Sequence, residues 1–332
     1  MANLKQQKVT VIGGSGFVGT HLCEGLVKNG IEFEIIDIKP SKKFPLQYKF
    51  GDVRKISSIQ EVITGDIIVL LAAIHTDNVN DKNEYYQTNV IGAKNVAEVC
   101  KHKDIRHILF TSSVAVYGYP RAPTDELGRI DPQNEYGRTK WSAEEELRQW
   151  RTEAAGKLTI VRPTVIFGPG NRGNVYNLFS QIASGRFLMV GHGKNRKSMA
   201  YIKNVSAFLI SQLQTTSDYA LVNYADGPDM TMNELVSLVR GKVLRRRKVG
   251  LRIPFALALP IALIGEKVVK LLGLTTPFSA QRVKKFCSNT QFVSRRAFLT
   301  FEPEYSLSDA INETIESEFI NPDPTRQIFH TE

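Results

Sequence analysis

Residues 9–19 read VTVIGGSGFVG: four strand-forming residues run straight into a turn with glycine at positions 13, 16 and 19. Few chain geometries satisfy that string. An apolar run without polar alternation suits a strand buried on both faces, and glycines at intervals of three suit a tight turn that opens a helix. Phe17–Asn29 continues as an amphipathic helix. Apolar strands expected at Glu34–Ile38, Ile67–Ala73, Ile108–Ser113 and Leu158–Arg162 alternate with helical stretches such as Asn89–Lys101. Such alternation points to an α/β fold whose parallel sheet is covered by helices on both faces.

The turn also carries chemistry. Gly13, Gly16 and Gly19 let the backbone come close to a pyrophosphate, and the helix start at Phe17 and Val18 turns its positive end toward that charge. Asp37 closes the second strand 18 residues after Gly19, where a carboxylate accepts bonds from both hydroxyls of an adenosine ribose. That choice favours NAD and opposes the 2′-phosphate of NADP. Asp52 and Val53 follow the third strand position and are candidates for the adenine edge. The expected architecture is therefore a Rossmann-type doubly wound sheet at 1–168. A smaller C-terminal mixed α/β substrate-binding portion is expected at 169–332, interleaved with late sheet elements.

A second constellation lies further on. TSSVAVYG (111–118) closes a strand, and Tyr136 and Lys140 in EYGRTK (135–140) are four apart, on one face of a helix. A lysine ammonium beside a phenol, with an oxidised nicotinamide close by, favours the phenolate, so Tyr136 can serve as a base near neutrality. Ser113 can donate to the same substrate oxygen. Ser113, Tyr136 and Lys140 are thus the candidate catalytic residues.

Composition narrows the partners. Of the 43 Lys/Arg and 33 Asp/Glu, 14 bases and one acid, Glu266, fall between Arg240 and Thr300, so the net charge of +10 belongs to one region. No recognised nucleic-acid module is visible in that region, so nucleic acid is not expected as a partner. Cys23, Cys100 and Cys287 are isolated and read as buried thiols, and no metal-type spacing is present. The N-terminus passes directly into strand and turn, without a visible signal peptide. The apolar run Ile253–Gly265 is too short to span a bilayer, which takes about 20 residues.

The blocks quoted so far resemble the extended short-chain dehydrogenase/reductases, a family of NAD-dependent nucleotide-sugar epimerases, dehydratases and reductases. That resemblance implies catalytic roles for Ser113, Tyr136 and Lys140, and places Leu71, Ala72, Ala73 and Asn89 along the cofactor. Dehydratases of the family carry an Asp-Glu pair where this chain has Val114-Ala115, so dehydration is disfavoured. Further blocks, GDVR (51–54), LLAAIHTDNV (70–79), RPTVIFG (162–168), NRGNVYNL (171–178), KSMAYIKN (197–204) and RVKKFCSNTQF (282–292), look like those of the undecaprenyl-linked 4-epimerases. This likeness implies interconversion of N-acetylglucosaminyl- and N-acetylgalactosaminyl-diphosphoundecaprenol, in bacterial O-antigen or other surface-polysaccharide synthesis. Asn174, Lys197 and Arg282 become candidate diphosphate or sugar contacts. A UDP-N-acetylhexosamine 4-epimerase or a UDP-4-keto-sugar reductase is the alternative reading. Oligomeric state is left open, a homodimer being one arrangement allowed.

Residues 242–264, KVLRRRKVGLRIPFALALPIALI, join six bases to an apolar run with two prolines. On composition alone, a buried hydrophobic helix with a basic flank is expected. A lipid-linked substrate, implied by the resemblance, points instead to segment 242–274 docking on the cytoplasmic face of the inner membrane, against its anionic surface.

Overall fold

The first strand, β1 (Val9–Ile12), is buried at all four positions. The computed structural model describes residues 6–76, 79, 81–120, 122–271 and 280–331, with backbone alone for 266–271, 281 and 282. From β1 the chain runs through α1 (Phe17–Lys28), β2 (Phe33–Asp37), β3 (Tyr48–Phe50), α2 (Ile56–Gln60), β4 (Ile67–Leu70) and α3 (Asn83–Tyr85). It continues through α4 (Gly92–His102), β5 (His107–Thr111), α5 (Glu135–Ala154) and β6 (Lys157–Pro163). The later part holds β7 (Val165–Phe167), α6 (Asn174–Ala183), β8 (Met189–Val190), β9 (Arg196–Tyr201), α7 (Ile202–Gln212), β10 (Tyr219–Tyr224) and β11 (Asp226–Thr231). The remaining elements are α8 (Met232–Leu244), β12 (Arg252–Ile253), α9 (Phe255–Leu271), α10 (Ala280–Cys287) and α11 (Leu307–Ile315).

Seven strands form one sheet in the order β10-β6-β5-β4-β1-β2-β3. Every neighbouring pair in it is parallel. Helices cover both faces. Leu22, Cys23 and Leu26 of α1 join Phe208 and Leu209 of α7 on one side, with Val9, Val11 and Ile35 of the sheet. Val96 and Val99 of α4 join Ala143, Leu147 and Trp150 of α5 on the other, with Ile12 and Ile68. Each fully buried Leu, Ile or Phe of these layers contributes roughly 1.5–3 kcal/mol. Strand order reverses between β1 and β4, and ligands of open α/β sheets bind in the crevice at such a reversal.

Strands β11-β9-β7 and β12-β8 form two small sheets beside this core. Phe179 and Ile182 of α6, Leu235 and Val239 of α8, and Ile311 and Ile315 of α11 pack with them. Strand β10 returns from this part to the edge of the large sheet, pairing with β6 from Tyr219 to Tyr224. Three local expectations differ. Strand β4 stops before Leu71, whose N–H and that of Ala72 both turn to the Ile12 carbonyl, and β5 stops before Ser112, whose N–H goes to the Val161 carbonyl. The helix expected from Asn89 begins as a π-helical turn at Tyr86–Ile91. Cys287 is half-buried, its thiol facing the Val190 carbonyl at 3.5 Å.

Candidate active site

Four segments meet at the carboxyl ends of β1, β4 and β5. Gly13 has φ +85, and a Cβ there would lie 2.5 Å from the Ala72 nitrogen, so the glycine turn and Leu71–Ala73 are pressed together. A Cβ on Gly19 would meet Gly14 Cα at 2.5 Å, which lets α1 start hard against the turn. Gly16 caps α1 without a side chain, leaving the leading N–H groups of the helix without a side-chain cap. The Ser15 hydroxyl is buried there without a partner. Asp37 accepts N–H bonds from Ser15 at 3.1 Å and Lys39 at 3.0 Å, which hold its carboxylate beside the turn. Burial raises its pKa, and those backbone bonds pull it back. Each oxygen keeps a free lone-pair direction for a hydroxyl donor. Uncapped amide donors, an orphaned hydroxyl and an oriented carboxylate fit a dinucleotide.

Asp52 and Asn89 are already engaged within the chain. The Asp52 carboxylate takes the Arg54 guanidinium through Nε at 2.9 Å and Nη2 at 2.8 Å, and this pairing lowers its pKa. Val53 is buried, and its carbonyl accepts from Asn95 at 2.8 Å. Asn89 accepts from the Ile74 N–H at 2.8 Å and donates to the Ile74 carbonyl and Thr139 hydroxyl at 3.0 and 2.9 Å. It thereby ties the segment after β4 to α5.

Asn134 caps α5, its side chain accepting from the Gly137 N–H at 2.9 Å, and so fixes the helix two residues before Tyr136. Ser113 faces Tyr136 from the end of β5, its hydroxyl accepting from the Ala115 N–H at 3.1 Å. Burial raises the Tyr136 pKa, and the neighbouring Ser113 hydroxyl opposes that rise. Lys140 is 2% exposed, with Nζ 4.3 Å from the centre of the Phe110 ring. Burial lowers its pKa to about 7, against the opposing charge of Glu144. His75 stands over the Tyr136 ring, centroids 6.4 Å apart at 61°. The cleft walls desolvate His75 and lower its pKa, opposed by a backbone bond at Ala73 and aided by Lys140.

Glu144, which sequence reasoning passed over, extends the row Tyr136–Lys140 by one further helical turn. Its buried carboxylate accepts from the Ser112 hydroxyl at 2.5 Å, from Arg162 Nε at 2.8 Å and Nη2 at 2.5 Å, and from Arg148 Nη2 at 2.6 Å. Arg162 also donates to the Tyr117 hydroxyl at 2.7 Å, which donates to Asn223 at 2.8 Å. The signal was an acid on the same helix face as the tyrosine and lysine.

Of the three expected substrate contacts, Lys197 lies in β9 and donates to the Lys285 carbonyl at 2.7 Å. Burial and the Lys285 charge lower its pKa to about 8. Asn174 is exposed at the first position of α6. The Arg282 side chain lies outside the described residues. Among the described residues, no group of three or more His, Cys, Asp or Glu is placed to hold a metal ion.

The family model described as the NAD dependent epimerase/dehydratase family matches residues 9–223. An N-acetyl-alpha-D-glucosaminyl-diphospho-ditrans,octacis-undecaprenol 4-epimerase of Escherichia coli O157:H7 is 41% identical over 318 residues, 94% of this chain and 96% of that protein. A 2-alkyl-3-oxoalkanoate reductase of Stenotrophomonas maltophilia is 27% identical over 80% of this chain and 84% of its own. In fold, the UDP-N-acetylglucosamine 4-epimerase of Bacillus cereus superposes with TM-score 0.74 at 17% identity, covering 95% of this chain and all of that one. The UDP-glucose 4-epimerase of Thermotoga maritima gives 0.73 at 20% identity, covering 93% and 97%. The chain belongs to the NAD dependent epimerase/dehydratase family, with NAD as its cofactor.

Proposed function

We propose that this chain interconverts N-acetylglucosaminyl- and N-acetylgalactosaminyl-diphosphoundecaprenol by inverting C4 of the sugar. The observation that carries the reading is end-to-end similarity to a protein of the first activity, 41% over 94% of this chain and 96% of that one. The cleft chemistry supports it. Gly13–Gly19 and Asp37 hold the dinucleotide, with Leu71–Ala73 along its length. NAD, when bound, would supply a reversible hydride acceptor for C4. Tyr136 takes the proton of the C4 hydroxyl as the hydride leaves, and gives it back when the hydride returns to the other face. Ser113, beside the phenol, donates to the same substrate oxygen and steadies it. Burial alone keeps Tyr136 protonated at neutral pH, so its ionisation needs nearby positive charge, which protonated Lys140 provides. Val114 and Ala115 offer no acid/base pair on the short 3-10 turn after Ser113, so the chemistry stops at oxidation and reduction of one carbon. We assign the sheet through residue 168 to NAD and catalysis, and the later part, with Asn174, Lys197 and Arg282, to the substrate.

A substrate with a polyprenyl tail requires the enzyme to meet a membrane. No helix among the described residues is long and apolar enough to cross one. Helix α9 instead turns Ala258 and Ala262 inward against Val190 and Val283, and leaves Leu257, Ile261 and Ile264 outward, 59%, 57% and 64% exposed. Arg245, Arg246, Arg247 and Lys248 are exposed on the preceding turn. An apolar helix face beside clustered bases matches an interfacial helix on anionic lipid, and we assign it to the cytoplasmic leaflet.

Incubation of purified protein with the lipid-linked N-acetylglucosamine and, separately, UDP-N-acetylglucosamine tests the reading. The lipid-linked sugar is expected to convert and the nucleotide sugar to stay intact; comparable turnover of both rejects the lipid-linked substrate. Tyr136→Phe is expected to lower turnover by about 10²–10⁴-fold with NAD binding retained.

A further inference from the structure

Arg240, near the end of α8, is 8% exposed, and its Nε is buried without a hydrogen-bond partner. Among the described residues it forms no ion pair and no side-chain hydrogen bond. Its Nη1 and Nη2 have no partner among those residues and stay accessible, so a largely buried charge lacks a counter-ion at the very atoms that could reach one from outside the chain. Arg240 lines a cavity of about 490 Å³ together with Arg186, Lys248, Leu188, Gly250 and Leu251. Gly250 has φ +94, a conformation that favours glycine, and its backbone lies over the Arg240 guanidinium, where a Cβ would fall 2.7 Å from Nη1. Arg186 and Lys248 are exposed at the cavity wall, and no acid lines it.

We propose that this cavity is a phosphate-binding site. A guanidinium offers paired donors that match two phosphate oxygens, and the two outer cations complete the charge. The rim is apolar, with Leu251 75% and Leu188 46% exposed. The cavity wall at Leu251 leads through β12 into α9, the helix with the outward apolar face. A phosphate ester joined to an apolar body, presented at a bilayer surface, meets every one of these features. Two sources share that chemistry: the headgroup of an anionic phospholipid and the diphosphate of a lipid-linked sugar. The site itself does not depend on the sugar substrate, and its test uses no turnover.

The experiment compares wild type with Arg240→Met, both saturated with NAD so that the glycine turn is filled, measuring thermal unfolding in inorganic pyrophosphate against chloride of equal ionic strength. Sedimentation with phosphatidylglycerol/phosphatidylcholine vesicles is the second assay. In chloride the variant is expected to be as stable as wild type or more so, because a buried unpaired charge has been removed. Pyrophosphate is expected to raise the wild-type Tm by about 3 °C or more and to leave the variant unmoved. Loss of phosphatidylglycerol-dependent sedimentation in the variant assigns the headgroup. Intact sedimentation with a lost pyrophosphate response assigns the diphosphate. The proposal is overturned if both proteins behave alike in both assays, or if Arg240→Met is less stable than wild type in chloride, which marks a structural arginine.

Discussion

Two buried arginines divide the molecule. Arg162, 1% exposed beneath the catalytic cleft, has a carboxylate on two of its nitrogens and a phenol on a third. Arg240, 8% exposed in the basic later part, forms no ion pair among the described residues, and its Nε is buried without a partner. The same side chain therefore serves opposite ends. Around Arg162 the chain satisfies its own charges and fixes three elements, β5, α5 and β6, against one another. Around Arg240 it leaves charge and apolar surface open, which is the arrangement of a region completed by something outside the chain.

The strongest way to test the contrast is to remove the partner that makes Arg162 different. Glu144→Ala leaves Arg162 buried and uncompensated and takes the acceptor from Ser112. Breaking a buried pair from one side costs about 3–5 kcal/mol. Urea unfolding is expected to show that loss as a lower midpoint, and the double change Glu144→Gln with Arg162→Met is expected to recover most of it. A loss below about 1 kcal/mol would mean that the two arginines do not differ in kind.

What the sequence disclosed follows the same divide. Gly13–Gly19, Asp37, and the Tyr136–Lys140 pair are local spacings, and a glycine triplet after a strand or two residues on one helix face carry their geometry with them. Glu144 and Arg162 are 18 residues apart, and their pairing exists only because α5 packs beside β6 in this register. The basic region was visible as charge, yet nothing in its composition said that Arg240 is inside while its neighbours Arg245–Lys248 are outside. Apolar residues of α9 suggested burial. Which face turns inward was decided by where Val190 and Val283 lie, and they accept the small Ala258 and Ala262 rather than Leu257 and Ile261.

Lys140 stands between the two cases, buried with Glu144 near but bonded to others. Its pKa falls from 10.5 to about 7 because burial disfavours its charge. In the unfolded chain the amine keeps its proton up to about pH 10.4. Between about pH 7 and that value the unfolded state binds more protons, so this residue makes stability rise with pH. Below pH 7 both states are charged and the full burial cost is present. Lys140→Met is therefore expected to be more stable than wild type at pH 6–7, by an advantage that shrinks by roughly 1 kcal/mol per pH unit above 7. Parallel denaturation curves at pH 6.5, 7.5 and 8.5 measure it; a constant difference would show that Lys140 does not titrate in that window.

The smallest effect on stability belongs to the outward face of α9. Leu257→Ser with Ile261→Ser removes side chains that are more than half exposed, and such surface changes stay within about 0.5 kcal/mol each. Pro260, inside the helix, already shows that this segment forms despite a missing N–H donor, because its inward alanines are packed. Binding to anionic vesicles is expected to respond in the opposite proportion, since each side chain withdrawn from the interface forfeits roughly 1.5–3 kcal/mol of apolar burial. The pair of substitutions should thus separate folding from docking, with an unchanged Tm and lost sedimentation. A Tm that falls by several degrees while sedimentation holds would place Leu257 and Ile261 inside an interface that the chain makes with itself, and would erase the contrast between a self-satisfied half and an open one.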